Sequence, residues 1–162
     1  MTGIEEETER GLSGDAGYRM LFEASPLPMW VYDAETLEFL AVNDAAVRHY
    51  GWSREEFLTM RITEIRPPSE VEALIAGIRD GSSFGSPERE TWRHRLRDGT
   101  IIDVEISAGR IVFEGKPAAL VVSRDVTERR RMEERLSEAE KMEAVGRMSV
   151  IRIERNSSRL QP

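Results

Sequence analysis

The 162-residue chain is 40% hydrophobic and 33% charged, with a net charge of −7, two histidines and no cysteine. This suffices for one core of ordinary domain size and leaves charge over for exposed helices. It excludes disulfides, thiol catalysis and cysteine metal sites, leaves His49 and His94 too far apart in sequence for a zinc site, and argues against nucleic acid or an anionic membrane as partner.

Residues 1–17 are acidic, carry glycines that include Gly11, Gly14 and Gly17, and read as a mobile segment. Asp15 is placed to cap a short helix in which Tyr18, Leu21 and Phe22 share a face and which Pro26 ends. LPMWVYDAETLEFLAVN reads as a hairpin, Met29 to Tyr32 and Leu37 to Val42, turned by DAET. Asn43 caps the helix DAAVRHY and Gly51 stops it. Ser53 and Glu56 form a capping box for a helix carrying Phe57 and Leu58, and Ser69 with Glu72 suggests another. Val71, Leu74, Ile75 and Ile78 then recur at helical spacing.

Three strands follow. ERETWRHRLR alternates, with Trp92, His94 and Leu96 on one side; DGT turns into IIDVEISAGRIVFEG, where Ile102, Val104 and Ile106 share a face; KPAALVVSRDV is the last. Strands at both ends with helices between them predict an α+β domain whose sheet closes by pairing first and last strands. No apolar run approaches the roughly 20 residues that cross a bilayer, and the acidic start is no signal peptide, so no membrane insertion and a cytoplasmic location are expected.

FEASPLPMWVYD, FLAVNDAAVRHYGWSREEFL, RHRLRDGT and SRDVTERR, in this order and spacing, resemble a PAS domain, the sensory module of bacterial sensor histidine kinases. The likeness covers residues 18–127. It implies a five-stranded antiparallel sheet, short helices on one face around a small cavity, an N-terminal helix and a long C-terminal output helix. It also implies that Asp125-Val126-Thr127 joins the last strand to that helix, and that Asp125 pairs with a basic residue of the hairpin, Arg97. Asp125 is suited to capping the helix start and Thr127 to supporting the turn, and no glycine loosens the joint.

The output helix is read over residues 128–148, about 30 Å long. Met132, Leu136 and Ala139 fall at coiled-coil spacing and predict a homodimer; after Ala139 the seam changes phase, with Met142, Val145 and Met148 one place off. The alternative is a solvated helix held by pairs such as Glu143 with Arg147. EKMEAVGRM resembles the first turns of a kinase phospho-acceptor helix, but an ungapped alignment puts Glu154 where the histidine belongs, and no ATP-binding domain follows. Residues 149–162 read as an atypical tail, either native to a stand-alone sensor or marking a truncated kinase. The chain is expected to have no enzymatic activity of its own.

For the cavity, Trp30, Asn43, Trp92 and His94 are the candidate ligand-facing residues. Each has a plainer reading: the tryptophans and Trp52 as core, Asn43 as a cap, His94 and His49 as structural. Haem is disfavoured because residues 70–79, where the family's haem-binding members place their axial histidine, contain none. Cysteinyl-flavin photochemistry is excluded without cysteine, while non-covalent flavin stays open. The expected function is a sensory and dimerisation module that passes a ligand- or partner-induced change to a kinase output domain. A ligand-free assembly module and a flavin redox sensor are the alternatives.

Overall fold

The computed structural model describes residues 15–84 and 91–157. The chain divides into two units, Met1–Asp125 and Val126–Pro162. The first holds helix α1 (Asp15–Ala24), strands β1 (Met29–Asp33) and β2 (Phe39–Val42), helices α2 (Asp44–Tyr50), α3 (Arg54–Phe57) and α4 (Pro68–Asp80), and strands β3 (Trp92–Arg95), β4 (Ile101–Phe113) and β5 (Lys116–Asp125). The second holds helix α5 (Thr127–Ser157).

The sheet is antiparallel in the order β2-β1-β5-β4-β3, so the first and last strands pair, Trp30 opposite Val121 and Tyr32 opposite Ala119. Side chains alternate along each strand and feed two cores. Trp30, Tyr32, Ala119 and Val121 face the larger one, shared with Phe39, Tyr50, Phe57, Ile65 and Leu74. Val31 and Ala118 face a smaller one on the opposite side, which Phe22 of α1 covers.

The caps follow from side-chain chemistry. Asn43 Oδ1 accepts from the Ala46 N–H, and Gly51 ends α2 at φ 90°, a left-handed conformation that glycine adopts without a Cβ penalty. Ser53 and Glu56 close a reciprocal capping box.

Four expectations are corrected. Helix α4 starts at Pro68, not at a Ser69–Glu72 box; a proline at the first helical position needs no N–H partner. Glu70 is instead buried and accepts from Arg93 through both its backbone N–H and its guanidinium. The first hairpin turns at DAET, but its strands are bounded differently: β1 runs to Asp33, whose Oδ1 accepts from the N–H groups of Glu35 and Thr36, and Leu37, expected to open the second strand, takes φ 64° ahead of β2. Helix α1 already begins at Asp15, while residues 1–14 of the expected mobile segment lie outside the described residues.

Helix α5 is longer than the expected 128–148, about 46 Å over its 31 residues. SVIRIERNS contains neither glycine nor proline, so nothing in it breaks the helix before Ser157. Met132 and Leu136 are exposed, as are Met142, Val145 and Met148. The Glu143–Arg147 pair forms at 2.9 Å.

Candidate functional site

A cavity of about 490 Å³ lies between the sheet and α4. Trp30, Trp92, Ile106 and Val121 line it from the strands, and Leu74, Gly77 and Asp80 from α4. Arg66, just before α4, also lines it, although only 6% of its surface is exposed. Its guanidinium carbon sits 4.7 Å from the centre of the Trp92 ring, a cation–π geometry that favours keeping a charge in an apolar wall.

Two of the four candidate cavity residues stand elsewhere. Asn43 is fully buried with both ends of its amide used: Oδ1 accepts from the Met29 and Ala46 N–H groups, and Nδ2 donates to the Phe22 and Leu27 carbonyls. It locks α1, β1 and α2 together and has no capacity left for a ligand. His94 lies in the core behind the lining, 5.9 Å from the Trp30 ring and 5.8 Å from the Tyr50 ring. Trp52 packs on Phe57 in an edge-to-face arrangement and is not among the lining residues.

His94 belongs to a buried polar relay. Its Nδ1 shares a 2.7 Å hydrogen bond with Tyr50 Oη, which meets Ser123 Oγ at 3.0 Å. Burial, reinforced by the nearby Arg66 charge, holds the imidazole well below the usual histidine range, so it is neutral at physiological pH. Burial likewise raises both phenols, Tyr32 to about 12.

At the end of the last strand, His49 Nε2 lies 2.9 Å from Asp125 Oδ2. The expected partner, Arg97, reaches Glu56 Oε1 at 2.9 Å instead. The hairpin explains this. The Arg97 backbone N–H is tied to the Tyr50 carbonyl at the end of α2, beside α3 and Glu56, and the preceding α2 residue, His49, supplies the partner for Asp125. Consecutive residues of α2 therefore grip β5 at two points, Tyr50 at Ser123 and His49 at Asp125. One residue, Val126, separates the end of β5 from the start of α5, of which Thr127 is the first residue.

The PAS fold family model matches residues 16–126. The chain belongs to the PAS family. Over 116 residues it is 29% identical to a methyl sulfide methyltransferase-associated sensor of Methanosarcina acetivorans, covering 72% of this chain but 12% of that protein. Among solved structures, it is similar to the PAS domain of an HTR-like protein from Haloarcula marismortui, at 27% identity and a TM-score of 0.56, covering 75% of this chain and 98% of that one. It is also similar to a domain of a sensory box sensor histidine kinase/response regulator from Geobacter sulfurreducens, at 28% identity and a TM-score of 0.51, covering 68% and 92%. Among the described residues, no group of acidic or histidine side chains could hold a metal ion, and no helix is long and apolar enough to cross a membrane.

Arg66, His49, Tyr50 and Ser123 escaped sequence reasoning. For Arg66 the only local signal is the Pro-Pro that follows it, which forces extended backbone before a helix. The relay joins residues 44 and 73 positions apart and leaves no local trace.

Proposed function

We propose that this PAS domain is the sensory and dimerisation module of a two-component signalling protein, with no catalysis of its own. A small ligand or partner acts at the sheet and its cavity, and the change passes along β5 into α5 and on to a kinase output domain in the parent protein. The observation that carries the reading is the double grip of α2 on the end of β5, at Ser123 and Asp125, shortly before the output helix begins at Thr127. The cavity wall includes Val121 of the same strand, so a ligand there bears on the strand that leads to α5. Such a ligand shifts signalling only if it prefers one arrangement of the domain.

A second reading, assembly without a ligand, draws support from the exposed Met132 and Leu136 on α5, which with Ala139 form a seam for a second copy. Native mass spectrometry of the purified chain separates the two. A dimer retaining extra mass is the expected result, and that mass, whether metabolite or flavin, would identify the ligand. A bare dimer would favour assembly. A bare monomer would remove dimerisation from both readings.

A further inference from the structure

Helix α1 is held to the domain at few points. From Ala16 to Ala24 only Phe22 is buried and Glu23 partly buried; the other residues are exposed. Its 10 residues are too few for a stable isolated helix in water, so α1 folds and docks as one event and has two states. Phe22 fills the smaller core, and its carbonyl accepts from Asn43 Nδ2. Glu23 supplies the other anchor. Its Oε2 accepts from the Asp44 N–H at 3.1 Å and its Oε1 from Arg54 Nη1 at 3.0 Å, while Arg54 Nη2 donates to Asp44 Oδ1 at 2.6 Å.

Asp44 is the first residue of α2, where backbone N–H groups have no partner within their own helix. A carboxylate is unfavourable in the last turn of its own helix and favourable at the start of another. Glu23 thus gives up local stability in α1 to cap α2. Helix α2 spans only 7 residues, about 10 Å, with no glycine or proline inside it. Its start is tied to α1 through Asn43 and Glu23, and its last two residues, His49 and Tyr50, hold Asp125 and Ser123 of β5.

We infer that α1 is a second input to the joint between β5 and the output helix: releasing α1 uncaps α2 and weakens its hold on the end of β5. The inference rests on the reading that this hold is what reaches α5. It adds a route that bypasses the cavity, since Glu23, Asn43, Asp44 and Arg54 are not among the cavity-lining residues. A contact that engages α1 shifts the joint only if it favours the docked or the released state over the other.

The test follows amide hydrogen exchange in the full chain for the native protein, Glu23→Ala, Glu23→Gln and Asp125→Ala. In Glu23→Ala, exchange at Ser123 and across residues 126–131 should rise about threefold or more, while β3 and the first half of β4 keep native rates. Glu23→Gln retains an oxygen for the Asp44 N–H and should show a smaller rise. Native rates at Ser123 and residues 126–131 in Glu23→Ala, whatever α1 itself does, would overturn the inference. The transmission reading would then stand if Asp125→Ala still speeds exchange there, and fall with it if not. A rise spread equally over β3 and β4 would also overturn the inference, because it would mark general destabilisation of the domain.

Discussion

His49 of α2 and Asp125 at the end of β5 meet at 2.9 Å, 76 residues apart in sequence, with Val126 alone between Asp125 and the start of α5. The pair is partly exposed, so its energetic worth is small even if its position is not. A double-mutant cycle of His49→Ala and Asp125→Ala, measured by urea denaturation, should give a coupling of about 0.5 kcal/mol, in the range of exposed ion pairs. A coupling of zero would mean that the grip on β5 rests on Tyr50 and Ser123 alone.

Asn43 carries more. Replacing it with alanine removes four hydrogen bonds and leaves the buried Phe22 carbonyl and the partly buried Leu27 carbonyl and Met29 N–H without that partner. The loss should be about 3 kcal/mol by denaturant titration, far above the cost of losing a helix cap alone. A loss near 1 kcal/mol would reduce Asn43 to a cap.

His94 gives a pH signature. Its folded-state pKa is depressed, so below the unfolded value of about 6.5 the unfolded chain binds one more proton than the folded chain. Stability from this residue is therefore complete above about pH 6.5 and lost as pH falls, by up to about 1.4 kcal/mol per pH unit. Denaturation of the native protein and of His94→Leu between about pH 5 and 7.5 isolates the term, since every other group is common to both. The difference should shrink steadily on acidification; parallel curves would place a charged, solvated imidazole there.

On α5, Leu136→Glu should turn a dimer into a monomer in sedimentation experiments while leaving the thermal unfolding of the PAS unit within about 1 °C, because an exposed substitution disturbs no core. A dimer surviving both this change and Met132→Glu would move the interface off the seam.

What was legible in the chain follows the range of the interactions. The caps at Asn43, Ser53 and Gly51 and the helix of Leu74 and Ile78 depend on neighbours within four residues, and spacing alone exposes them. The pairing of first and last strands was readable because element order leaves few alternatives. Asn43 shows the limit. Its cap is local, but the bonds that exhaust its amide reach back to Phe22 and Leu27, so it looked available to a ligand when it is not. Arg66 shows the converse: a charged residue beside two prolines reads as a surface loop, and only the packed fold turns it over Trp92. The partner of Asp125 was misassigned to Arg97 for the same reason, since the choice rests on where the end of α2 lands.

The most direct test of transmission is amide hydrogen exchange across residues 126–131 in the native chain and in Asp125→Ala. The account predicts faster exchange there in the variant, with protection of β1 and β2 unchanged, because releasing His49 loosens β5 where it becomes the helix. Identical exchange in the two proteins would contradict it, and the joint would then carry no signal through Asp125.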